Sequence, residues 1–392
     1  MIRQNSSLKQ VIPVALLAFS IWACSGKESQ EQAGKYSELK FALDTVMIDP
    51  REEILHIQDN LWVSDISKDS KYLFNYNRKD AVMEKIDLDK LILVEKIKFE
   101  KEGPDGLGNF ISKFTVDAEE HFTVWSYGLS KVFDQNAKLV KDMKIEKILE
   151  GTFSTYDAQP LDFFKIPGDS NRLIGFYIKW DDKSYLIVDI DLKEENFSII
   201  GLPELKRIQD FSTDLLYDGQ WAGAMGTGAF SLANGEKILV SNNSFNEVYI
   251  YDSAEDSLYL KELEGPLLGI KKSYIPPKQV EVSSSQHWEV DKKQREDIYF
   301  GRILWDAKNQ RYLRLSFKEK FGEEIIENRG YLAIGAEVFL SVFDKDFNLL
   351  AESAVPQLNK KPGRHFVKNG QIWIFENIDD EMAFLRLQIL DR

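Results

Sequence analysis

The chain has 392 residues, with 64 acidic against 50 basic side chains and a formal net charge of −14. A surface of that sign repels phosphate backbones and anionic headgroups, which excludes nucleic acid and acidic lipid as main partners. Cys24 is the only cysteine, so no disulfide can form within the chain and the folded body stands without covalent staples.

At the N-terminus, Arg3 and Lys9 precede an apolar run from Val11 to Ala23, broken by Pro13 and Ser20. The run is shorter than the ~20 residues of a membrane-spanning helix. Charge, a short apolar core and a small residue before a cut site predict a secretory signal over residues 1–23. Ile21-Trp22-Ala23-Cys24 resembles the lipobox of bacterial lipoproteins. That resemblance implies cleavage before Cys24 and a diacylglycerol on its sulfur, so the membrane becomes a partner through the anchor. Each buried methylene adds about 0.8 kcal/mol, and two chains hold a protein on a bilayer where one barely does. By the same resemblance Ser25 implies the outer membrane, and Lys27-Glu28 is similar to the charged tail that sends some Gram-negative lipoproteins to the cell surface. Residues 24–35 read as a flexible polar tether. Loss of residues 1–23 removes Arg3 and Lys9 and no acid, leaving 48 basic and 64 acidic side chains, net −16.

From Tyr36 onward the chain is longer than the ~250–300 residues at which one core stops growing, yet no linker rich in Pro, Gly or Ser follows residue 40. A modular core resolves this. Strand pairs separated by turn residues recur at 61–76, 113–125, 161–178, 228–241, 301–317 and 365–375. A third run follows each pair and closes on an acid: Asp87, Asp134, Asp191, Asp252, Asp344 and Asp391. In five units a fourth run comes next: LILVEKIKFE, AKLVKDMKI, NFSIIGL, SLYLKEL and FNLLAESAV. The middle runs are apolar on consecutive residues, as strands covered on both faces must be.

The last unit lacks its fourth run. YSELKFALDTVMI, residues 36–48, alternates Leu39, Phe41 and Leu43 with polar or small residues and has no hairpin of its own. The expected fold is therefore all-β, a six-bladed β-propeller over 36–392 whose last blade is closed by the N-terminal strand. The unit spacing is too long for a β-solenoid coil, and a pair of β-sandwiches needs a linker that is missing. Lys101 to Phe110, KEGPDGLGNF, is similar to the Gly-Pro-Gly-aromatic loop that leads into the inner strand of TolB-like propellers, with Gly103, Gly106 and Gly108 expected in unusual dihedrals. On these features the chain resembles the six-bladed TolB-like propeller lipoproteins of Gram-negative bacteria, including an uncharacterised family of similar length. That likeness implies a fold and an envelope location, and no activity.

The turns between second and third strands would gather on one mouth. They offer Asn77, Arg78, Tyr127, Trp180, Asn242, Asn243 and Lys318, residue types that recognise sugars and peptides. Arg364 and His365 open an inner strand and join the candidates. The longest departure from the repeat, residues 265–299, is expected to cap the mouth and bring Trp288 to it. WAGAMGTGAF, 221–230, has neither the Lys-Ser/Thr nor the following helix of a phosphate loop and reads as a loop and inner strand near the axis. Asp87/Asp89, Asp189/Asp191 and Asp344/Asp346 are expected to be turn residues opposite the mouth. Asp181, Asp182, Asp379 and Asp380 lie on the mouth side and are the candidates for a cation. No nucleophile elbow occurs, and the four histidines do not cluster in sequence.

The reading is a lipid-anchored envelope propeller that binds a glycan, a peptide or an envelope protein, with no cofactor and no nucleic acid. The alternative is a metal-dependent hydrolase or lyase using the four mouth-side aspartates in the central channel.

Overall fold

A strand that must bury both faces needs apolar side chains on consecutive residues, and the middle strands of this chain meet that demand. The computed structural model describes residues 39–390 except 109, 154–156, 283 and 327–328. The expected signal segment, Cys24 and the expected tether lie outside the described residues. No helix among the described residues is long and apolar enough to cross a membrane.

β1 (Lys40–Met47) comes first and is set aside for the last sheet. Sheet I holds β2 (Ser64–Ile66), β3 (Tyr72–Asn77), β4 (Val82–Asp87) and β5 (Ile92–Lys98). Sheet II holds β6 (Lys113–Val116), β7 (Phe122–Ser126), β8 (Leu129–Phe133) and β9 (Leu139–Asp142). Sheet III holds β10 (Ala158–Ile166), β11 (Asp169–Lys179), β12 (Tyr185–Asp191) and β13 (Asn196–Gly201). After β14 (Thr213–Tyr217) and β15 (Gln220–Met225), sheet IV holds β16 (Ala229–Asn234), β17 (Lys237–Asn242), β18 (Glu247–Asp252) and β19 (Ser257–Glu262). After β20 (Gln279–Glu281), sheet V holds β21 (Tyr299–Asp306), β22 (Arg311–Ile326), β23 (Gly330–Phe343) and β24 (Leu349–Ala354). Sheet VI orders β25 (His365–Lys368), β26 (Gln371–Ile378), β27 (Glu381–Leu390) and then β1. All six are antiparallel and four-stranded.

β1 pairs with β27 along its whole length, Lys40 opposite Leu390 and Met47 opposite Ala383. Arg386 grips Asp44 across the pair, its Nε 2.9 Å from Asp44 Oδ1. Asp49 then clips onto sheet I through its amide to the Leu91 carbonyl, 2.8 Å, and its carbonyl to the Leu93 amide, 3.0 Å.

Adjacent side chains on one middle strand feed different cores. Leu73 packs with Trp373 and Phe384 of sheet VI, whereas Phe74 packs with Phe114 and Phe122 of sheet II. Trp125 meets Phe163 of sheet III edge-on, with ring centroids 5.3 Å apart. Ile238 belongs with sheet III and Leu239 with Ile303 and Tyr312 of sheet V. Ile372 and Ile374 face Leu313 and Leu340 of sheet V, while Trp373 and Phe375 face sheet I. Each such side chain removed from water contributes about 1.5–3 kcal/mol.

The acids that close the third strands cap the following turns. Asp87, Asp191 and Asp344 each accept two backbone amides through Oδ1, at 2.8–2.9 Å. A left-handed residue follows in each turn: Leu91, Glu195 and Phe347. In the 101–110 loop, Gly103 and Gly108 do adopt positive φ. Gly106 does not; it is there because a Cβ would strike the Glu102 backbone, at 2.8 Å.

Two regions depart from the expected outline. Residues 203–225 fold as a 3-10 helix (Pro203–Phe211) and the β14–β15 hairpin, and β20 joins β14 in parallel to make a small three-stranded sheet. WAGAMGTGAF is thus divided: its first half is β15, its end the start of β16. The turn expected to begin at Lys318 is a ribbon, because β22 and β23 keep pairing to Ile326 and Gly330.

Candidate functional site

On the side of the β11–β12 turn lies a cleft of about 1060 Å³. Tyr127 comes from the β7–β8 turn, Trp180 and Lys183 from the β11–β12 turn, Asp214 and Trp221 from the small sheet, and Gln209 from the 3-10 helix. The three large aromatics keep much of their surface in water: Tyr127 50%, Trp180 45% and Trp221 60%. Two of their polar tips are tied down. Tyr127 Oη donates to Gln159 Oε1 at 2.9 Å, and Trp221 Nε1 donates to Asp214 Oδ1 at 3.2 Å. Lys183 Nζ reaches the same carboxylate oxygen at 2.5 Å. Gln209 Nε2 donates to the Lys183 carbonyl, 3.3 Å, which binds the helix end to the turn. Ring faces with anchored edges suit the apolar faces of a ligand, and the Lys183–Asp214 pair supplies charge for its polar groups.

The expected mouth residues divide. Tyr127 and Trp180 meet in the cleft. Asn77 is spent on its own turn, bonding Asp80 at 2.9 and 3.2 Å. Arg78 is paired with Asp59 at 3.0 Å and lies over the Phe110 ring. Asn242 and Asn243 do not point into a mouth: both are buried. Asn242 Oδ1 accepts the amides of Ser244 and Phe245 at 2.9 and 2.7 Å, an Asx turn. Asn243 bonds the Gly228 amide at 3.1 Å and the Gly226 carbonyl at 3.0 Å, so it braces the loop whose Gly228 floors the cleft. Lys318 is in the paired part of β22, opposite Glu337.

Trp288 does not reach the cleft either. It sits in the helix Gln286–Glu296 and packs on Gly330 of the ribbon, where any Cβ would collide with its ring. Arg295 of the same helix binds Glu319 through two hydrogen bonds, at 2.7 and 3.0 Å. The 265–299 segment thus buttresses the small sheet and the ribbon.

Asp182 Oδ1 accepts the Ser184 amide at 3.1 Å, and the Ser184 bond holds its carboxyl below the usual range. Asp181 is 3.3 Å from Lys179. Asp379 and Asp380 form the β26–β27 turn with positive φ. These four do not come together. Among the described residues, the acids and histidine close enough to share a cation are Asp117, Glu119 and His121, and Asp117 already serves Lys165, 2.9 Å, and the His121 amide, 2.8 Å.

Arg364 and His365 lie elsewhere, at a separate cavity of about 150 Å³. Its walls are the first strands of several sheets: Ser64 and Asp65, Ser231, Arg302, Arg364 and His365. Beside it Lys113 is ion-paired with Asp162, and Ser231 Oγ donates to Asp162 Oδ2 at 2.6 Å.

Of the cleft residues missed in the sequence, Lys183 lies in the β11–β12 turn with Trp180, and Trp221, Asp214 and Gln209 belong to 203–225. One signal was present. Asp218-Gly219 is a two-residue hairpin turn, and both residues take positive φ.

Six four-stranded antiparallel sheets packed through shared apolar layers define an all-β, propeller-like protein. The chain belongs to the DUF4221 family, a domain of unknown function, whose model matches residues 36–354. A DUF4221 member from Bacteroides vulgatus ATCC 8482 is similar in structure, with a TM-score of 0.64 at 14% identity over 91% of this chain and 100% of that one. A Bacteroides fragilis NCTC 9343 protein described as exported gives a TM-score of 0.50 at 9% identity, over 90% and 96%. The β-propeller domain of Myceliophteria thermophila Cps50 (Swd1) gives 0.38 at 9%, over 90% and 100%. At these identities the likeness concerns the fold alone. No protein of curated function matches the chain.

Proposed function

We propose that this is a six-bladed β-propeller whose last blade is completed by β1, anchored in the outer membrane by lipid on Cys24, and that it binds a glycan in the cleft. The ring is supported by the apolar layers that join each sheet to the next and sheet VI to sheet I. The envelope location is supported by the signal-like N-terminus and lipobox, and by similarity to a protein described as exported. The carrying observation for binding is the trio Tyr127, Trp180 and Trp221: large aromatics left exposed around one cleft, with Tyr127 and Trp221 hydrogen-bonded at their polar tips. Exposed apolar surface grouped in this way marks a recognition site.

Glycan-array binding with the purified protein, followed by titration of hits against tryptophan fluorescence, tests the reading. Binding lost in Trp180→Ala and Trp221→Ala is expected. Capture of peptides alone would replace the glycan reading, and hits insensitive to both substitutions would remove the cleft. Metabolic labelling with a tagged fatty acid, lost in Cys24→Ala, tests the anchor.

A further inference from the structure

Arginine guanidinium groups seldom line an enclosed space without carboxylates to match them, because desolvating a cation is costly. Two of them, Arg302 and Arg364, line the axial cavity against a single lining carboxylate among the described residues, Asp65. Of the charges around it, Lys113 and Asp162 neutralise one another, and Asp162 also takes the Ser231 hydroxyl. Asp65 is occupied by the Val116 amide, 2.9 Å from its Oδ2, and burial pushes its carboxyl up towards the neutral form. Arg364 donates through Nη2 to the Ser64 carbonyl at 3.2 Å, and the Arg302 guanidinium lies over the Phe230 ring at 5.5 Å. Neither makes an ion pair within 4 Å among the described residues. Burial, and the repulsion of Arg302, pull Arg364 down to about 10.

His365 adds an independent observation. Its Nδ1 is 2.7 Å from the Gly363 carbonyl, which can only accept, so Nδ1 carries the hydrogen. Its Nε2 is shut off from solvent and has no partner. Burial lowers the imidazole to about 4, with Arg302 and Arg364 adding repulsion.

The backbone is shaped for this arrangement. β21 bulges between Phe300 and Ile303, and Gly301 approaches the Leu315 carbonyl so closely that no Cβ fits. The bulge places Arg302 in the cavity wall. β10 bulges between Pro160 and Asp162, beside the residue that holds Lys113. Bulges that re-aim one side chain recur beside binding sites. About 150 Å³ is far more than the roughly 10–15 Å³ that admits one water.

We infer that the axial cavity is a second binding site, for a small oxyanion bearing a carboxylate or phosphate group, held by the Arg302 and Arg364 guanidinium groups with the His365 ring in the wall beside them. The planar fork of arginine matches both groups, and their charge completes the balance that Asp65 and Asp162 leave open. The site is separate from the cleft: Ala229 floors the cleft and Ser231 lines the cavity, two residues apart on β16.

The test is thermal unfolding of the purified full-length protein with inorganic phosphate, acetate and chloride at equal ionic strength. A concentration-dependent rise on the order of 2–4 °C with phosphate or acetate over chloride is expected at concentrations well above the dissociation constant. The stronger of the two names the group. Arg302→Gln should fold, by circular dichroism, and lose the rise. Independently of any variant, the side-chain 15N resonance of His365 should shift with the anion and not with chloride. Equal stability in all three salts with an unmoved His365 resonance overturns the site, as does a rise unchanged in Arg302→Gln. Trp180→Ala should retain the anion response, so failure here and failure of the cleft are told apart.

Discussion

The cleft and the Arg302–Arg364 cavity are neighbours on β16, yet they are built from opposite materials. The cleft sets aromatic faces in water and keeps one charge pair, Lys183–Asp214, at its edge. The cavity encloses cations, carboxylates and an imidazole between first strands, with apolar sheets behind them. Exposed rings cost the fold little and can be exchanged. Enclosed charges depend on one another, because each is stabilised only by its partners. The cleft can therefore vary in specificity with little penalty, whereas the cavity is coupled to stability.

The largest effect that tests this contrast is Asp162→Ala. It strands the Lys113 ammonium and should lower unfolding free energy by about 2–3 kcal/mol, short of the ~3–5 of a fully buried pair because Lys113 retains some solvent contact. Urea denaturation measures it; a loss below about 1 kcal/mol would mean that the cavity region is no more coupled than the surface.

Next is a pH effect. His365 titrates near 4 in the folded chain against 6.5 when free, so between those values the unfolded chain binds more protons. Stability should thus be full above about 6.5 and fall as pH drops towards 4, by about 1–3 kcal/mol at most. Melting across that window should be flatter in His365→Gln, with Arg302, Arg364, Lys113, Asp65 and Asp162 unchanged around it. An identical slope in both proteins would assign the loss to other groups.

Smaller again, Asp214→Ala releases Lys183 and Trp221 at the cleft edge. A stability loss of about 0.2–1 kcal/mol is expected because both partners are partly exposed, with weaker binding of any cleft ligand. Smallest for the fold, Trp180→Ala should change stability by no more than about 0.5 kcal/mol while abolishing binding. A larger loss would make Trp180 a packing residue.

Local chemistry carried much of the architecture in readable form. The acids closing the third strands, such as Asp87 and Asp344, were legible because an Asx turn is decided within four residues. β1 was legible through the alternation of Leu39, Phe41 and Leu43, which side-chain geometry imposes on a strand with one wet face. Half the cleft was legible, since Tyr127 and Trp180 occupy turns that follow from the strand count. Asn242 and Asn243 misled because an amide suited to a ligand is equally suited to a turn, and only burial separates the uses. Trp221 was missed because its sheet depends on β14 pairing in parallel with β20, a contact set by no local signal.

The sequence by itself determined where strands run, which way their side chains alternate and where turns fall, because sterics and short-range hydrogen bonds settle these within a few residues. Tertiary structure alone decided which side chains share a space. Arg364 meets the Ser64 carbonyl across 300 residues of chain, and Arg302 lines the same cavity from a bulge where Gly301 closely approaches the Leu315 carbonyl. Such meetings depend on how whole sheets pack, and no short stretch of sequence contains that information.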